Sequence, residues 1–120
     1  MKKLKQIDFI GHYNSYIYIL TSQELESKNI FKIGYSSDVQ RRVNQLNCDY
    51  LTEATKFYIV YTKYFEGCII KRVEAAIHRL LKNFRHEWEL YSGELDYFIY
   101  VICCLHDYIY LGETHPLLIS

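Results

Sequence analysis

Tyr16-Ile-Tyr-Ile-Leu20, Ile30-Phe-Lys-Ile-Gly-Tyr35 and Ser37-Asp-Val-Gln-Arg-Arg-Val-Asn-Gln-Leu46 are the three pieces of the stretch Ser15 to Leu46 that decides the fold. The first two are short runs of β-branched and aromatic residues, the composition of strands. Alternation puts Tyr16, Tyr18 and Leu20 on one face of the first strand and Ile17 and Ile19 on the other. Both faces are largely apolar, so a covered, central place in a sheet is expected. Ser22 to Asn29 is a polar loop compatible with a hairpin. In the second strand Phe31, Ile33 and Tyr35 share one face and Lys32 and Gly34 the other. Lys32 is either an edge charge that deters aggregation or a functional cation. Gly34 is a bulge or a point of close backbone approach. Ser37 to Gln40 reads as a capping box opening a helix, whose buried stripe is Val39, Val43 and Leu46. Arg42 borders that stripe, and Arg41 points further out.

Working outward, Lys56 to Phe65 reads as a third strand, broken by Glu66-Gly67. Cys68 to Phe84 carries the strongest helical period, through Ile69, Ile70, Val73, Ile77, Leu80, Leu81 and Phe84. Glu74, His78 and Arg85 stack along the adjacent stripe. Asn83 to Tyr91 reads as a polar-aromatic loop or short extended piece. Ser92 caps a further helix, Gly93 to about Tyr108. The expected class is α+β: a small three-stranded antiparallel sheet flanked in layers by about three helices, in the order β-β-α-β-α-α. Residues 1–14 form a lead-in, 15–110 the domain and 111–120 a C-terminal tail.

Composition narrows the function classes. The chain has 120 residues, long enough for one domain with a core that needs no staples. Its net charge is zero, so attraction to nucleic acid must come from a local patch. Cys48, Cys68, Cys103 and Cys104 form no CxxC pair, and reduced structural thiols are expected. No window approaches the roughly 20 apolar residues of a membrane span, and no small-molecule cofactor motif is present. An intracellular protein, cytoplasmic or nuclear, is expected. The abundance of Tyr, Ile, Lys and Asn points toward a virus or phage.

In this order and spacing, Tyr16-Ile-Tyr-Ile-Leu20, Lys32-Ile-Gly-Tyr-Ser36, Gln40-Arg-Arg-Val43 and Val73-Glu-Ala-Ala-Ile-His78 resemble the GIY-YIG nuclease superfamily. They look most like its branch of phage DNA-binding and meiotically up-regulated gene products, whose second motif reads Lys-Ile-Gly. The resemblance runs from about Ser15 to Tyr91. It implies Tyr18 as general base or water-orienting group, Gly34 as the second motif's glycine and Arg42 as the grip on the scissile phosphate. It implies Glu74 as the ligand of a single Mg²⁺ or Mn²⁺, and His78 and Arg85 as positions typical of the branch. Two residues depart from the nuclease pattern: Tyr16 replaces a glycine, and Lys32 replaces a tyrosine of the active centre.

The chemistry also stands apart from the family. Phosphodiester hydrolysis needs charge neutralisation at the phosphate, an oriented water and a cation at the leaving oxygen. Arg42 offers a bidentate fork. A lone Glu74 suits Mg²⁺, which takes few carboxylates. Tyr18 needs a nearby cation to act as a base, and Lys32 could supply it. The catalytic candidates are therefore Tyr18, Lys32, Arg42 and Glu74; the nucleic-acid contacts are Lys32, Gly34, Arg41, Arg42, His78 and Arg85. Structural alternatives are a core role for Tyr18, an Arg42–Glu74 ion pair and a core-edge His78. The sequence favours a divalent-metal-dependent DNA endonuclease or a nuclease-derived protein acting on DNA phosphodiesters. A catalytically inactive DNA-binding module of the same fold and a viral protein-interaction domain are the alternatives, with a homodimer left open.

Overall fold

Strand β1, Ile10–Thr21, is the axis of the domain because its alternating side chains feed two separate cores. The computed structural model describes residues 5–49 and 52–119. On one face Tyr18 and Leu20 pack with Val39 and Val43 of helix α2, Val39–Leu46. On the other, Ile17 and Ile19 join the larger core with helices α3, Ile70–Leu80, and α4, Leu95–Leu111. Fully burying each such aliphatic side chain is worth about 1.5–3 kcal/mol, so both faces are tied to helices and β1 is central, as its two apolar faces predict.

β1 pairs antiparallel with β2, Ile30–Ser36, and with β3, Tyr58–Cys68. The sheet does not stop at these strands. β2 also pairs with β5, Leu90–Ser92, and β5 with β4, Arg85–Glu87, giving the order β3-β1-β2-β5-β4. The expected three-stranded sheet is therefore incorrect: it has five strands, within the α+β class. The added hairpin comes from the segment read as a polar-aromatic loop. Its strands have three residues each, and Arg85, His86 and Glu87 are all exposed, so no apolar alternation marks them. Pairing with β2 supplies what the local sequence lacks.

Other differences are local. Helix α1, Gln23–Glu26, lies inside the expected hairpin loop, and α5, Pro116–Ile119, in the tail, so five helices are described instead of about three. β3 runs through Glu66-Gly67, where Gly67 adopts φ +64° and donates its N–H to the Asn14 side chain at 2.9 Å. Asp38, not Ser37, caps α2: its carboxylate accepts from the Arg41 N–H at 3.1 Å. α3 is shorter than the periodicity suggests, ending at Leu80 before a 3₁₀ turn, Lys82–Phe84. α4 starts after Glu94 instead of Ser92 and ends at Gly112, whose φ of +68° closes the helix in the left-handed region. Residues 1–4 of the lead-in, 50 and 51 of the connection before β3, and 120 of the tail lie outside the described residues.

Candidate active site

The site is built on the cross-strand pair Tyr18 and Gly34. Tyr18 is 2% exposed, its ring lying across the bare Cα of Gly34. A Cβ at position 34 would lie 2.5 Å from the Tyr18 hydroxyl and 2.7 Å from Cζ. Gly34 is thus required by steric exclusion. Close approach at Gly34 is what the sequence suggests, and the group that approaches is the tyrosine itself.

Helix α2 brings Arg42 to the Tyr18 hydroxyl. Burial is the largest influence on that hydroxyl and pushes its pKa up. Hydrogen bonding and charge from Arg42 pull it down, the charges of Glu89 and Glu74 push it up, and the net shift is upward. The phenol is therefore neutral at ordinary pH, an orienting group more than a ready base. Its cationic neighbour is Arg42. Lys32 is engaged elsewhere: its Nζ lies 2.8 Å from Glu89 Oε2, with the lysine side chain 15% exposed and the glutamate 42%. Since β2 is flanked by β1 and β5, Lys32 is not an edge lysine.

Glu74 approaches from α3. Its Oε2 lies 3.5 Å from His78 Nε2, one helical turn on, and both side chains are largely buried. The other ring nitrogen, Nδ1, shares a hydrogen bond with the Tyr91 hydroxyl, and the His78 and Tyr91 rings stack at 5.2 Å. His78 is thus a hydrogen-bonded core-edge histidine, tied at the same time to the candidate metal ligand. Burial drives the Tyr91 hydroxyl up to about 12; Arg85 lowers it, and Glu74 and Glu89 add to the rise. Tyr18 and Tyr91 therefore feel the same two carboxylates.

The structure brings together Tyr18, Gly34, Arg42, Lys32, Glu74 and His78, with Arg85 acting on Tyr91 from the rim. Arg41 is exposed on α2 and belongs to none of these pairs. The ion pairs among the described residues do not include one between Arg42 and Glu74. Two members have no counterpart among the sequence candidates, Glu89 and Tyr91. Both belong to the β4–β5 hairpin, and only its pairing with β2 places them here.

Among the described residues no group of three or more His, Cys, Asp or Glu side chains is arranged to hold a metal. That donor set does not suit zinc, which takes three or four protein ligands. It does suit Mg²⁺ or Mn²⁺, which keeps most of its waters and accepts one or two carboxylates. Glu74 would be the ligand, with His78 orienting its carboxylate.

The T5orf172 domain family matches residues 15–104, three quarters of the chain and every part of the site. The chain belongs to the T5orf172 domain family. It is 29% identical over 119 residues to the putative KilA-N domain-containing protein 315L of Invertebrate iridescent virus 6, covering 96% of this chain and 50% of that protein. It is 31% identical over 72 residues to the putative Bro-N domain-containing protein 019R of Invertebrate iridescent virus 3, covering 60% of this chain and 17% of that protein. Both of these relatives of the T5orf172 domain are viral, and the chain spans half of their length or less. No solved structure matches it. None of its described helices is long and apolar enough to cross a membrane.

Proposed function

We propose that this T5orf172 domain acts on DNA phosphodiesters as a divalent-metal-dependent endonuclease of the GIY-YIG kind. The observation that carries the reading is the convergence of a buried Tyr18 on Gly34, Arg42 at its hydroxyl, and the Glu74 carboxylate from a separate helix. The names of the viral relatives, with their KilA-N and Bro-N domains, agree with a DNA-directed role.

Each residue then has one task. Arg42 clamps two phosphate oxygens through its guanidinium fork. Glu74 would hold Mg²⁺ or Mn²⁺, with His78, steadied by Tyr91, orienting the carboxylate. When bound there, such an ion would supply positive charge against the leaving oxygen. Tyr18 orients the attacking water as a neutral phenol. Lys32 and Arg85 contribute positive charge along the DNA path, with Lys32 restrained by Glu89.

A second reading, a DNA-binding domain without cleavage, is favoured by one observation. The position that carries tyrosine in the resembled nucleases carries Lys32, and its ammonium is paired with Glu89. Incubation of supercoiled plasmid with the purified protein and Mg²⁺ or Mn²⁺ separates the two. Nicking that is lost in Glu74→Ala supports the enzyme; binding without nicking under either metal selects the second reading.

A further inference from the structure

Trp88 is the most exposed large apolar side chain among the described residues, at 77%. It occupies the two-residue turn between β4 and β5 with φ +50°, a conformation that costs a bulky side chain and would suit glycine better. The exposed indole therefore adds little packing to the fold.

The turn is nonetheless held firmly. The Arg85 Nε–H donates to the Trp88 carbonyl at 2.7 Å. The next residue, Glu89, accepts the Ile33 N–H on its backbone carbonyl at 3.0 Å and binds Lys32 through its carboxylate. Trp88 is one peptide unit, about 3.8 Å between Cα atoms, from a residue whose charge reaches both Tyr18 and Tyr91. Exposed Arg85, bonded to its carbonyl, and exposed Glu87, the preceding residue, lie beside it, while Glu89 is offset by Lys32.

We propose that Trp88 is a base-stacking platform, receiving on its indole face a nucleobase of the DNA strand whose phosphate Arg42 grips. This rests on the DNA reading above and deepens it, by giving the site a contact to a base besides those to phosphate. An aromatic face accepts any base, so the contact adds affinity with little sequence preference, and the neighbouring guanidinium complements the strand. A hydrogen-bonded turn that exposes a ring next to Glu89 suits a single strand or a splayed end, whose bases are free to stack.

The chain's sole tryptophan is its own reporter. The intact protein is titrated with a short oligodeoxythymidylate, following indole emission, and a dye-labelled copy follows binding by anisotropy. The expected result is quenched emission on binding, affinity about tenfold weaker in Trp88→Ala, and most of it kept in Trp88→Phe. Because the side chain is exposed, neither substitution removes core packing. Anisotropy that reports binding while indole emission and the Trp88→Ala affinity stay unchanged overturns the stacking role and leaves the DNA reading standing. So does Trp88→Phe binding as weakly as Trp88→Ala. No anisotropy change at low salt overturns the DNA reading, and the stacking role with it.

Discussion

Tyr18 lies across the bare Cα of its cross-strand partner Gly34, with its hydroxyl in the space that a side chain there would need. The relationship joins fold to site, since the same ring packs with Leu20, Val39 and Val43 and presents its hydroxyl to Arg42. Gly34→Ala is therefore expected to destabilise the domain by about 1–3 kcal/mol, the usual cost of overpacking. The alanine should cost less when combined with Tyr18→Val, because the clash is with the ring. A double-mutant cycle by urea unfolding measures this; equal costs in both backgrounds would contradict the packing.

Arg42 and Arg41 are neighbours with different surroundings, one half-buried at the Tyr18 hydroxyl and the other exposed. Arg42→Ala should weaken DNA binding and lower the log–log salt slope by about 1, as expected for one lost phosphate contact. Arg41→Ala should have the smaller effect. Salt titrations of oligonucleotide affinity compare them.

The Lys32–Glu89 pair is short, but the glutamate is 42% exposed. Lys32→Met is thus expected to change stability by less than about 1 kcal/mol. Its larger effect should be on DNA affinity, with the melting temperature close to that of the parent. A loss of stability well beyond that figure would make the pair a structural strut.

Tyr91 provides a pH signature. Its hydroxyl is pushed up to about 12 in the folded chain, mainly by burial, against a value near 10 when unfolded. Between these values the folded state holds a proton that the unfolded state has lost, so stability is full below pH 10 and falls as pH rises toward 12. Tyr18, Tyr61 and Tyr110 shift in the same direction. Alkaline titration followed by tyrosinate absorbance should show an early phase from exposed tyrosines and a late phase coincident with unfolding. A single phase with the fold intact would contradict the burial.

How legible the site was follows from where its signals lie. Tyr16 to Leu20 alternates over five residues, so both faces of β1 could be read directly, and the core on each side agrees. Val39 and Val43 lie on the buried face of α2 for the same reason. Ser37 and Asp38 are both capable caps in succession, and the choice between them is made by the Ser36 hydroxyl, which accepts the Asp38 N–H at 3.0 Å. Glu89 and Tyr91 were beyond reach: their strands are three residues long, and only tertiary pairing with β2 forms them. Glu66-Gly67 reads as a break because glycine weakens a strand interior, whereas here it is absorbed where the register of β1 and β3 is irregular.

Under the proposed function, Glu74 would carry the metal for DNA cleavage at the site of Tyr18 and Arg42. The most direct test is the single-turnover cleavage rate of DNA across a Mn²⁺ titration, for the parent chain and for Glu74→Gln, which keeps the side-chain volume and removes the charge. The expected result is Mn²⁺-dependent cleavage by the parent and none above background in Glu74→Gln, with DNA binding retained. Cleavage by Glu74→Gln at the parental rate, or a parent that binds DNA and never cleaves it at any Mn²⁺ concentration, would contradict it.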